Sequence, residues 1–210
     1  MLDLVLPLQC GGCGAPSTRW CDDCAAALGV AADEPYVLTP RVDPGVPVFA
    51  LGRYAGPRRQ AIVALKEHGR RDLTGPLSRA LALGIHRLTT WGILGEEVTV
   101  VPAPTRRSAA RRRGGDPVRR IAEDATVASS RLDVAAVLRT TAGVRDSVGL
   151  SSAARERNIA GRVRLTSAGP AGEVLLVDDI VTTGATAREA VRVLRAAGAA
   201  VSAVLTLAYV

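Results

Sequence analysis

Apolar side chains recur along this chain in two different rhythms, and the change from one to the other marks out its elements. Ala61, Ile62 and Leu65 share one face at helical spacing, and Leu77, Ala80, Leu81, Gly84, Ile85 and Leu88 do the same in a longer stretch. Pro57 suits the first turn of the earlier helix and Gly69 its stop, which puts Lys66 in the last turn. Val118, Ile121, Ala122 and Ala125 predict another helix, with Asp116 as N-cap and Pro117 as first residue. Unbroken apolar runs at 98–101, 174–177 and 201–207 read instead as buried strands, and 48–54 alternates loosely as a further one. A last helix is predicted over 186–197, ended by Gly198. Strand and helix alternate, so the expected fold class is α/β, a mostly parallel sheet flanked by helices.

The intervening stretches are less regular. Residues 31–48 carry Pro35, Pro40, Pro44 and Pro47, which break regular structure and read as a linker into the main domain. Residues 140–150 look like a loop, and 151–161 like a short polar helix. The expected organisation is a small cysteine unit over 1–31, a linker and hood over 32–47, and the main domain over 48–210.

Composition narrows the class. The chain has 210 residues, 48% hydrophobic and 22% charged, enough for one main core and a small appendage, and with 3% aromatics that core must be aliphatic. The apolar runs are too short to span a bilayer and residues 1–9 lack a basic leader region, so the expectation is a soluble cytoplasmic protein with no membrane insertion. A net charge of +7 raises the question of a nucleic-acid surface. It is concentrated: residues 106–120 hold seven arginines against the single Asp116, while Lys66 is the only lysine in the chain. His68 and His86 are isolated, with no neighbour in sequence that would make a proton relay.

All four cysteines lie in two CxxC pairs, Cys10 with Cys13 and Cys21 with Cys24, separated by seven residues. Two such hairpins offer four thiolates to one tetrahedral ion, and thiolate ligation suits Zn2+. Two disulfides or a redox-active pair are the alternatives, disfavoured by a cytoplasmic setting and the lack of a surrounding βαβ pattern. With four protein ligands the zinc site is structural, since no position is left open for chemistry.

The chemistry-bearing segment is 174–186: a buried strand, Asp178 and Asp179, a hydroxyl-rich turn, then a helix. Ligands of parallel sheets sit at the carboxyl ends of strands, where these carboxylates emerge and can accept hydrogen bonds from ribose hydroxyls. Thr182, Thr183, Gly184, Ala185 and Thr186 present N–H groups and hydroxyls at the positive end of the next helix, a phosphate site. Gly184 is expected to allow a ligand's close approach. Neither GxxxxGK[ST] nor GxGxxG is present, so this phosphate cradle is of another kind.

Four hydrophobic residues, Asp-Asp, two residues, Thr-Thr-Gly, one residue and Thr resemble the motif with which type I phosphoribosyltransferases bind 5-phosphoribosyl-1-pyrophosphate (PRPP). The rest of the chain is similar to the competence protein F (ComF) family nearly end to end. The likeness comprises the four cysteines as a zinc-ribbon-like knuckle, Tyr54, Leu65-Lys66 with Gly69, Val101-Pro102 with Arg113-Gly114, Leu150-Ser151 and Arg157-Asn158. It departs at Gly115-Asp116, where the family tends to have Phe-Asn, and at Ser147, where glutamine is usual. The resemblance implies a type I phosphoribosyltransferase fold, with Asp178 and Asp179 as the catalytic carboxylates holding ribose and Mg2+, and 182–186 holding the 5-phosphate. It offers Lys66 and, from a mobile arginine loop, Arg107 and Arg113 as pyrophosphate contacts, and it implies transfer to an unknown acceptor base. The family's association with DNA uptake supplies the alternative, a non-catalytic partner of single-stranded DNA and the competence machinery. Few aromatics stand against a stacking groove. The reading also leaves room for a homo-oligomer.

Overall fold

In the computed structural model, which describes residues 8–104, 115–141 and 159–210, the long apolar runs become the middle of a six-stranded sheet. In chain order the elements are α1 (Asp22–Leu28), β1 (Tyr36–Leu38), β2 (Val48–Ala50), α2 (Gly56–Glu67), a 3-10 turn (Arg71–Leu73), α3 (Thr74–Thr90), β3 (Val98–Pro102), α4 (Pro117–Thr126), β4 (Leu132–Val134), β5 (Leu138–Thr140), β6 (Val163–Leu165), β7 (Glu173–Val181), α5 (Ala185–Ala196) and β8 (Ala200–Tyr209). The sheet runs β1-β2-β8-β7-β3-β4, and every pairing in it is parallel except β1 with β2. β5 and β6 form a separate antiparallel pair.

β7 and β8 sit at the centre, and both faces of each are covered, which is why their sequences are apolar without alternation. The two faces still separate by the two-residue period of a strand. Leu175 and Val177 pack with Ile62, Leu77, Leu81 and Ile121 of α2, α3 and α4, whereas Val174 and Leu176 pack with Ala190, Val191 and Leu194 of α5. The helices carry the buried faces that their spacing predicts, including Leu77, Ala80, Leu81, Gly84, Ile85 and Leu88 of α3. Gly84 has a reason to be glycine, since a Cβ there would stand 2.5 Å from Leu51 Cδ2, so α3 lies close on the sheet.

Three differences from the sequence reading have local causes. β7 runs on to Val181, past the apolar segment, because parallel pairing with β8 continues to Val181 opposite Tyr209. Within the proline-rich stretch, Tyr36–Leu38 forms the antiparallel edge strand β1 on β2, fitting between Pro35 and Pro40. β4, β5 and β6 are three residues each, too short to show a period. Most of the expected loop and polar helix of 140–161 lies outside the described residues. No helix among the described residues is long and apolar enough to cross a membrane.

The N-terminus of α4 is built as expected: the Asp116 carboxylate accepts from the Val118 N–H at 3.0 Å and the Arg119 N–H at 3.3 Å. Asp116→Ala is expected to lower folding stability by about 1 kcal/mol in urea denaturation, and Asp116→Asn to retain most of it.

Candidate functional site

Two separate constellations stand out. The four cysteine sulfurs lie within 4.8 Å of one another, with Cys10 to Cys21 and Cys13 to Cys21 at 3.6 Å. A tetrahedral ion with Zn–S bonds of about 2.3 Å has S–S edges of about 3.8 Å, whereas a disulfide needs about 2.05 Å. All four thiols are free, so the cluster can hold a metal ion such as zinc. Local structure aims them: Gly14 N–H closes the first hairpin onto the Cys10 carbonyl at 2.9 Å, and Cys21 is the N-cap of α1, which carries Cys24 in its first turn. A Cβ on Gly12 would stand 2.6 Å from Cys24 Sγ, so the backbone passes behind the sulfur only as glycine. Burial raises the Cys10 thiol, but amide donors of Cys13, Cys21 and Gly12 outweigh it and bring the thiol down to about 6. Burial pushes Cys24 up. A bound cation reverses that cost, because it takes thiolate.

The second constellation is the carboxyl end of β7. Because the strand continues through both aspartates, Asp178 and Asp179 point to opposite faces. Asp178 joins the α5 side and lines a small cleft with Thr182, Thr183, Gly184, Ala185 and Thr186. Asp179 joins the α2 side, in a narrow apolar crevice with Leu65, Leu77, Val118 and Ile121. There its Oδ2 lies 2.6 Å from Lys66 Nζ, with 13% and 27% of the two side chains exposed, well out of open solvent. Desolvation among the packed strand ends pushes Asp178 up to about 8, and the neighbouring Asp179 charge adds to it. Lys66 and the Asp179 N–H, which donates to Asp178 Oδ1 at 2.8 Å, pull in the other direction.

The turn that follows is shaped by the hood. Gly184 is left-handed at φ 86 and forms the N-cap of α5, and the Ala185 N–H donates to Thr183 Oγ1 at 3.3 Å. A Cβ on Gly184 would collide with the Val42 carbonyl oxygen and stand 2.8 Å from Pro40 Cβ. The Val42 N–H in turn donates to the Thr183 carbonyl at 2.8 Å, and Arg195 Nη2 reaches the Gly45 carbonyl at 3.2 Å. The space that the sequence reading assigned to ligand approach at Gly184 is therefore taken on that side by the hood backbone.

Structure thus brings Asp178 together with 182–186, pairs Lys66 with Asp179, and gathers the four cysteines. Arg107 and Arg113 lie outside the described residues. Val42 and Thr206, which also border the turn or cleft, were not singled out by the sequence reading, since nothing within a few residues of them signals a partner far along the chain. No family model matches this chain, and no curated protein does.

Two outcomes are expected. Protein purified under reducing conditions carries one zinc per chain by elemental analysis, and Cys24→Ser carries far less. For Asp178, the folded chain keeps a proton between pH 3.8 and about 8 that the unfolded chain has lost. Its contribution to stability is complete below pH 3.8 and disappears as pH rises to about 8. Asp178→Asn, which stays neutral, is expected to lose less stability than the parent between roughly pH 5 and pH 8 in urea titrations; parallel curves would exclude the shift.

Proposed function

We propose that this chain binds PRPP with Mg2+ at the carboxyl end of β7, on a type I phosphoribosyltransferase fold, and transfers phosphoribose to a nitrogenous acceptor. The observation that carries the reading is that Asp178 and the 182–186 turn line one cleft at the N-terminus of α5. The N–H groups of Thr186 and Ala187 in that first turn and the hydroxyls of Thr182, Thr183 and Thr186 suit a 5-phosphate. Asp178 then faces the ribose hydroxyls. Asp178 and Asp179 supply oxygen donors, the kind Mg2+ takes. Lys66 stands beside Asp179 as a cation for the pyrophosphate.

In transfer, a bond forms between the acceptor nitrogen and the anomeric carbon as the bond from that carbon to pyrophosphate breaks. Positive charge develops on the ring while negative charge leaves. With Mg2+ held by the carboxylates, Asp178 would give up its proton and the leaving pyrophosphate would be neutralised beside Lys66, while the ionised carboxylates would favour the cationic ring. The hood, anchored on the turn through Val42, forms a wall beside which an acceptor is held. Its residues fit no acceptor class.

The test is calorimetric titration of PRPP with and without Mg2+, with a single-stranded oligonucleotide titrated at two salt concentrations in parallel. Magnesium-dependent PRPP binding, weakened at least about tenfold by Asp178→Asn or Asp179→Asn, is the expected result, about 1.4 kcal/mol. Unchanged affinity in both variants, or salt-sensitive DNA binding with no PRPP binding, overturns the reading.

A further inference from the structure

The end of α2 is tied to the knuckle through the Arg70 side chain. Gly69, left-handed at φ 66, lets the Arg70 N–H return to the Ala64 carbonyl at 3.1 Å, which closes the turn that carries Lys66. The Arg70 guanidinium grips Asp72 through Nε and Nη2 at 2.7 to 3.2 Å. Nη2 also donates to the Arg19 carbonyl at 3.2 Å, and Arg19 lies between the two CxxC pairs. The same carbonyl accepts the Gly11 N–H at 3.0 Å. Beside it, fully buried Leu73 packs so closely on Gly11 that a Cβ there would stand 2.6 Å from both its methyls.

Charge reinforces this link. Four thiolates around a divalent cation keep two negative charges. Arg70 is held charged first by its bonds to Asp72 and further by Cys10, so it lies within the field of the sulfur cluster. At the other end of the same turn, Lys66 reaches Asp179.

We infer that Arg70 is a positioning residue that couples the metal-holding knuckle to the last turn of α2 and so keeps Lys66 on Asp179, linking ligand affinity at β7 to metal occupancy of the four cysteines. The ligand half rests on the PRPP reading; the hold on Lys66 does not. Coupling of this kind is reciprocal, so PRPP with Mg2+ slows zinc loss to a chelator as much as zinc favours PRPP.

Lys66 is the only lysine, which makes its amine a unique reporter. Zinc-loaded full-length protein is pulsed with an amine-acylating reagent and the Lys66 peptide quantified by mass spectrometry. Asp179→Asn, which removes the carboxylate partner, gives the reference reactivity, and Arg70→Ala and Arg70→Gln, with zinc content measured, test the tether. The expected result is at least about fivefold faster acylation in the Arg70 variants, approaching that of Asp179→Asn, and the same on chelation of the parent. Faster acylation with no PRPP binding in any protein leaves the positioning role standing and removes the ligand reading alone. Parent-like acylation in a zinc-replete Arg70 variant overturns the inference, as does an Asp179→Asn variant no more reactive than the parent.

Discussion

Everything at the candidate site follows from one geometric constraint: β7 is a central parallel strand that keeps its ladder with β8 to Val181. A strand sends consecutive side chains to opposite faces, so two adjacent aspartates at its end cannot share an environment. One meets the helix-capping turn of α5 and the other meets Lys66 in an apolar crevice. That separation explains why two identical groups differ: Asp178 is pushed up by desolvation, whereas Asp179 has an ammonium beside it. The Asp179 charge is met by a cation, and the pressure it puts on Asp178 is partly relieved by the N–H that donates to Asp178.

Around this strand end, segments distant in sequence are fastened by hydrogen bonds to main-chain carbonyls. The hood meets the α5 turn through Val42 and Thr183, and the knuckle meets the α2 terminus through Arg19 and Arg70. In both places a glycine removes the atom that would block the approach, Gly184 in the first and Gly11 in the second. The cysteine cluster is far from the carboxylates in the chain, yet only the short stretch 66–73 separates the lysine on Asp179 from the leucine on Gly11.

Much of this was legible before any coordinates. The helical period of 77–88, the cap at Asp116 and the apolar runs of the central strands are strong local signals, because each reports burial of its own residues. The cysteine spacing likewise announces a cluster. What stayed hidden was relational. Nothing near Asp179 says that Lys66 lies against it, since more than a hundred residues intervene. β1 hides among prolines because an edge strand on β2 draws its stability from pairing rather than from a pattern of its own. The facing of Asp178 and Asp179 was missed for a related reason: a strand's polar end looks like a loop when judged by hydrophobicity alone.

The hood's grip on Gly184 has a consequence for how such a site changes over generations. The contacts are a backbone N–H, a backbone carbonyl and a proline ring pressed into the place of a missing Cβ. A grip made of main-chain atoms is indifferent to most of the side chains carried by the segment that makes it. The exposed positions of the hood can therefore drift while the turn beneath keeps its shape, and mutational tolerance is divided unevenly. It is broad along the strap and nearly nil at the glycine it rests on, so that inheritance can rework the strap's outer surface without rebuilding the turn beneath.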